Sequence, residues 1–289
     1  MDYLAPGTLK AAVTHLVKAK GSACVVAGGT DVLTRVATGK APRPRVLVSL
    51  RDVPGLNEVH LDRKGFVRIG ARVTLAEVAG SNLILRRLTG LAEAAGMIGS
   101  EQVRSTATLV GNVCSASSAA DAIPPLLCSE AVLEVVGPRG RRLVPVQQLL
   151  TGPRTTSLKR GEVVAAIRVP VPKGRIGTVY RRHAPRSAMD CATVIAAAQV
   201  SARKDRIVEA RLALGAVHPV PVRCPTTEKI LEGRAPTAEV LAEAADAAVT
   251  GIEPISDIRA SADHRRMIVR RIVPEVLIEA FVRAGGVRR

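Results

Sequence analysis

The sequence has 289 residues, 47% of them hydrophobic, which excludes a disordered chain and leaves room for two domains with buried cores. Its formal net charge is +17, but Lys and Arg are spread along the chain rather than gathered in blocks. Aromatic residues make up only 1%, with no Trp, so the stacking platforms used by single-strand binders are missing. The charge therefore reads first as an arginine-rich solvated surface and second as a match for an acidic partner subunit, with no specific nucleic-acid partner.

Thr8 is placed to cap a helix running to residue 19, with Leu9, Val13, Leu16 and Val17 at helical spacing. An apolar strand at 24–27, a Gly-Gly-Thr turn, a short helix and a strand at 46–50 complete a small βαβ unit. Strands follow near 58–61 and 67–69, then helices at 74–79 and 83–95. A second glycine site opens onto the alanine-rich stretch 116–127, which leads into Pro124-Pro125. Strands at 132–136 and 163–169 flank a helix around Gln147. Pro170, Pro172 and Gly174 mark a linker and the domain boundary. Beyond it, strands at 178–182, 194–202 and 207–214 form one sheet, and helices at 227–231, 237–249 and 260–284 close the chain. Pro274 is expected to break or kink the last helix. The alternation reads as an α+β chain of two domains, 1–172 (with subdomains of about 1–55 and 56–172) and 176–289.

Two glycine stretches about eighty residues apart carry most of the chemistry: Val26-Ala27-Gly28-Gly29-Thr30-Asp31-Val32-Leu33 and Thr108-Leu109-Val110-Gly111-Asn112. Glycine permits positive φ and close backbone approach, and consecutive amides in such a turn form a concave nest for anions. Two nests suit a diphosphate. Asp31 is awkward beside phosphate and reads better as a cap on the following helix. The five cysteines lie far apart with no CxxC pair, which argues against a disulfide framework, an iron–sulfur site or a zinc site. The five histidines are scattered without acid–base partners at informative spacing. The N-terminal sequence lacks a basic region followed by an apolar stretch, so no signal peptide is expected, and no apolar run is long enough to span a bilayer.

Five segments, in order, resemble the FAD-binding medium subunit of molybdenum hydroxylases, the group of aerobic carbon monoxide dehydrogenase and the xanthine dehydrogenases. They are residues 26–33 (VAGGTDVL), 98–127 (IGSEQVRSTATLVGNVCSASSAADAIPPLL), 180–194 (YRRHAPRSAMDCATV), 213–223 (ALGAVHPVPVR) and 257–266 (DIRASADHRR). The resemblance implies a two-subdomain FAD-binding fold of the vanillyl-alcohol-oxidase type, followed by a C-terminal α+β domain with a three-stranded antiparallel sheet and helices. It implies cofactor contacts from both glycine stretches, and from Ser115 and Asp121, the latter accepting from flavin-linked hydroxyls. It further implies that Ile98 and Cys191 lie near the flavin ring, where relatives often carry an aromatic residue and a tyrosine. Ile167 and Thr193 are weaker ring candidates. Where the family has T-I-G-G-N, this chain has Val110 in place of the first glycine; a β-branched residue does not easily hold positive φ, so the turn is expected to survive with one glycine or to sit slightly further from the cofactor.

The function so implied is an electron-transfer subunit. It would take electrons from a small subunit with two [2Fe-2S] clusters, served by a large molybdenum-binding subunit, and pass them to quinone, NAD or oxygen. The expected assembly is a dimer of heterotrimers in the cytoplasm, with peripheral contact at the inner membrane face as a variant. The rival readings are a basic scaffold that keeps the fold without flavin and a stand-alone flavin oxidoreductase.

Overall fold

The computed structural model describes residues 1–186 and 189–287. Ser187 and Ala188, inside the 180–194 segment, and Arg288 and Arg289 lie outside the described residues. The first layer is a three-stranded parallel sheet in which Val46–Ser49 is central, paired on one side with Asp2–Leu4 and on the other with Ala23–Val26. The helix Leu9–Lys18 begins where expected: the Thr8 hydroxyl accepts from the Ala11 amide at 3.1 Å, and Ala12, Val13 and Leu16 are buried. Val17, assigned to the same apolar face, is instead 40% exposed at its rim.

A five-stranded antiparallel sheet follows. Its central strand Val163–Pro170 pairs with Phe66–Gly70 on one side and Val132–Gly137 on the other; Val59–Leu61 and Gly140–Pro145 form the edges. The single helix expected over 83–95 is two helices, Asn82–Arg87 and Thr89–Met97, because Leu88 leaves the helical region at φ −140° and is buried. The bend sets Gly90 against strand Ile176–His183. The Gly90 amide donates to Thr178 Oγ1 at 3.0 Å, and a Cβ at Gly90 would lie 3.3 Å from the Val179 backbone.

In the C-terminal half, Ile176–His183, Val194–Arg203 and Arg206–Gly215 form the expected antiparallel sheet, extended by a short fourth strand, Val222–Arg223. The middle strand is alanine-rich and buried on both faces. Val194, Ala196, Ala198 and Val200 pack in the core with helices Ala238–Thr250 and Ala262–Arg283, whereas Ala197 packs in the core of the N-terminal half. Small side chains let this strand serve both layers. The last helix is not broken at Pro274; it runs 22 residues through it. An internal proline costs about 3 kcal/mol, and burial of Ile268, Val269, Ile272 and Val273 before it and of Val276 and Leu277 after it offsets that cost. Among the described residues, no helix is long and apolar enough to cross a membrane.

Candidate functional site

The edge strand Ala23–Val26 ends in the turn Ala27-Gly28-Gly29, which leads into helix Val32–Ala37. The two glycines are required for different reasons. Gly29 has φ +74°, a left-handed conformation that side chains resist. A Cβ on Gly28 would sit 2.1 Å from the Thr106 carbonyl oxygen, so the turn is pressed against the backbone of a second segment. That segment is held in its turn: Leu75 N–H donates to Ala107 O at 2.8 Å and Leu109 N–H to Val73 O at 3.2 Å.

The second glycine stretch is the start of helix Leu109–Cys114, capped by Thr108, whose Oγ1 accepts from Gly111 N–H at 3.0 Å. This corrects the expectation of a positive-φ nest there. Val110 lies inside the first helical turn, so its β-branched side chain raises no conflict; it points into the core with Leu109 and Val113. Gly111, Asn112, Cys114 and Ser115 form the other face.

The two segments enclose a cleft of about 370 Å³ lined by Val26 to Val32, Ile98, Thr108, Gly111, Asn112 and Ser115 among others. Volumes of roughly 300–1,000 Å³ are usual for ligand sites. Within the described residues, the backbone amides of Gly28, Gly29, Thr30, Asp31 and Val32 have no protein acceptor. Asn112 Oδ1 is buried and likewise lacks a hydrogen-bond partner. A run of free donors and an orphaned acceptor in one cleft fit a group carrying both phosphate oxygens and hydroxyls. The loop bearing Ile98 is fixed by Arg104 Nη1, which donates to the carbonyls of Ile98 and Gly99 at 3.2 and 3.1 Å.

Asp31 does not cap the helix with its carboxylate. Oδ1 accepts from Arg154 Nη1 at 2.9 Å, and Arg35 Nη1 lies 4.0 Å from Oδ2. Arg35, Arg154, Cys24 and Cys114 line the cleft and were not singled out in the sequence. Positions 31 and 154 are too far apart in the chain for any spacing to pair them. Burial pushes the Cys114 thiol up to about 12 and raises Cys24, against the nearby Arg35 charge, so both stay protonated and unreactive at neutral pH.

Other expected contacts lie elsewhere. Ile167 is fully buried in the central strand of the five-stranded sheet and Leu109 fully buried in the core, so neither side chain reaches the cleft. Leu33 is exposed beyond its rim, and Cys191 is exposed on the connection between the first two C-terminal strands. Thr193 is buried and bonds with His183, accepting or donating at Nδ1 over 2.8 Å. Asp121 is engaged within the protein through one oxygen: Tyr180 Oη donates to its Oδ1 at 2.5 Å and Arg182 Nη1 lies 3.4 Å from the same atom. Burial raises the Asp121 carboxyl despite these partners, and burial with the Asp121 charge drives the Tyr180 hydroxyl well up. This buried set ties the N-terminal half to the C-terminal sheet. Among the described residues no cluster of His, Cys, Asp or Glu could hold a metal ion.

Residues 1–172 match the family described as the FAD binding domain in molybdopterin dehydrogenase, and residues 179–280 match the CO dehydrogenase flavoprotein C-terminal domain. The chain belongs to the FAD-binding medium subunits of molybdenum hydroxylases. It is 32% identical over 286 residues to the xanthine dehydrogenase FAD-binding subunit of Escherichia coli O157:H7, covering 99% of this chain and 97% of that one. It is 30% identical over 284 residues to the carbon monoxide dehydrogenase medium chain of Hydrogenophaga pseudoflava, covering 98% of each. Its fold superposes with a TM-score of 0.94 on carbon monoxide dehydrogenase from that organism lacking the Mo-pyranopterin moiety, at 30% identity and 98% coverage of each chain. Quinoline 2-oxidoreductase from Pseudomonas putida 86 gives 0.92 at 28% identity, again with 98% of each chain covered. As a medium subunit of this family the chain is an oxidoreductase subunit whose cofactor is FAD, carried on a two-part FAD-binding fold with a C-terminal α+β domain.

Proposed function

We propose that this medium subunit transfers electrons from an iron–sulfur partner through FAD to an external acceptor: quinone, NAD or oxygen. The observation that carries the reading is the row of free amides from Gly28 to Val32, facing the orphaned Asn112 Oδ1 in one cleft. The amides of residues 28–32 hold the diphosphate. Thr108, Gly111, Asn112 and Ser115 meet the sugar and ribityl hydroxyls, Asn112 Oδ1 as acceptor. Ile98 and Val26 give the ring side of the cleft an apolar wall. When bound, FAD supplies the exchange between electron-pair and single-electron transfer that no side chain here performs. The chain's own part is to bind, orient and exclude water: the cleft has no histidine, its thiols are protonated, and its carboxylate Asp31 is held by arginines.

The partners in this reading are a large molybdenum-binding subunit and a small subunit with two [2Fe-2S] clusters, arranged as a dimer of heterotrimers. Support comes from relatives that are medium subunits or medium chains by name. We place the complex in the cytoplasm. The FAD-binding part is residues 1–172, with subdomains of about 1–55 and 56–172, and residues 176–289 form the second domain; the two large hydrophobic cores support that division. The free amides count against a flavin-free scaffold.

The test is the visible absorbance of the purified chain, alone, with added FAD, and co-expressed with both partner subunits. Flavin bands that travel with the protein, and that Gly111→Val diminishes, are expected; a complex without flavin under all three conditions refutes the reading. Reduction of that flavin by the holoenzyme's substrate, absent when the iron–sulfur subunit is left out, tests the electron route.

A further inference from the structure

Arg154 stands in the turn between the short strands Leu150–Gly152 and Thr155–Thr156, at φ +61°. A non-glycine residue in the left-handed region carries strain that glycine or asparagine would relieve at a turn. The backbone is anchored by Arg154 N–H donating to Ala116 O at 2.9 Å, just beyond helix Leu109–Cys114. The guanidinium reaches back across the cleft mouth to Asp31, 123 positions earlier, in the glycine turn that bears the free amides. Nη1 is engaged with Oδ1 at 2.9 Å, leaving the donors on Nη2 and Nε.

A carboxylate beside a row of amides aimed at an anion would oppose that anion unless it did something else. From this arrangement we infer that Arg154 is a diphosphate-binding residue of the FAD site and that Asp31 is its positioning residue. Asp31 holds one edge of the guanidinium and turns the other toward the phosphate oxygens; Arg35, 4.0 Å from the second carboxylate oxygen, offsets the remaining negative charge. The planar fork of arginine suits this double duty, presenting donors to one anion from each edge in a fixed geometry that a lysine ammonium lacks. The inference rests on the FAD site proposed above and names a contact within it that the glycine motifs do not contain.

The test is a double-mutant cycle on the full chain, titrated with FAD by flavin fluorescence at two salt concentrations, with thermal unfolding of each variant as a folding control. Arg154→Gln is expected to weaken FAD binding about tenfold and to flatten its salt dependence. Arg154→Lys should recover only part of the loss. Asp31→Ala should weaken binding about threefold, and the double variant should match Arg154→Gln alone, because Asp31 acts through Arg154. Gly29→Val is the reference for the site itself. If Gly29→Val weakens FAD binding while Arg154→Gln does not, the role of Arg154 is overturned and the site stands. If Asp31→Ala tightens binding, Asp31 only repels phosphate and its positioning role is overturned. If Gly29→Val leaves binding unchanged, the placement of the site fails and the inference fails with it.

Discussion

Adding one methyl group at Gly28 should separate the two walls of the cleft. A Cβ there would lie 2.1 Å from Thr106 O, 2.9 Å from Thr106 C and 3.0 Å from Ala107 Cα, all backbone atoms that no rotamer change can move aside. Restoring ordinary contact from 2.1 Å to about 3.4 Å requires the glycine turn and residues 106–107 to part by about 1.3 Å, an overpacking that costs about 1–3 kcal/mol and belongs at the upper end because both sides are backbone. At about 2–4 °C per kcal/mol for a chain of this size, Gly28→Ala should lower the unfolding midpoint by about 6–12 °C. If about half of the cost appears as lost FAD binding, affinity falls a little over tenfold. Gly29→Ala is the internal comparison. Its Cβ meets side chains rather than backbone, Leu33 at 3.1 Å and Val26 at 3.5 Å, so the cost is the left-handed backbone, about 1–2 kcal/mol, with a smaller effect on affinity. The assay is thermal unfolding with and without FAD, together with FAD titration of each variant. Gly28→Ala with an unchanged midpoint and affinity, or with effects smaller than those of Gly29→Ala, would refute the close approach as the reason for this glycine.

Two further outcomes follow from carboxylates held by neighbouring side chains. Tyr180→Phe removes the donor to Asp121 Oδ1 and should cost about 2 kcal/mol in urea unfolding while leaving FAD affinity unchanged; lost affinity with unaltered stability would return Asp121 to the cofactor. Arg142 donates to both carboxylate oxygens of Glu162, at 2.8 and 2.7 Å, and this pairing holds the Glu162 carboxyl below its ordinary value of 4.5. A depressed carboxyl contributes stability that is complete above its unfolded value and is lost as pH falls through the folded one. The stability gap between the parent and Glu162→Gln should therefore be full at pH 7 and close as pH drops below 4.5; a gap that stays constant to low pH would show that the pair does not carry it.

The sequence determined the elements whose signals are local. Thr8 and the apolar spacing behind it marked the first helix. The strand–Gly-Gly-Thr–helix order placed the free amides, because glycine pairs after an apolar run leave few alternatives for the backbone. Five ordered motifs identified the family. Other features depended on partners distant in sequence. Gly28 reads as a turn glycine but is fixed by the Thr106 carbonyl. Val110 looked like a defect in a turn and is a core residue in a helix, since position within the helix sets its φ. Asp121 fits a cofactor contact by motif, and only the fold shows that Tyr180 and Arg182, from the C-terminal sheet, meet its Oδ1. Asp31 reads as a cap until the hairpin turn brings Arg154 across the cleft. Backbone conformation follows from residue type over a few positions; which polar group meets which is decided by the packing of whole sheets and helices, and that only the tertiary structure supplies.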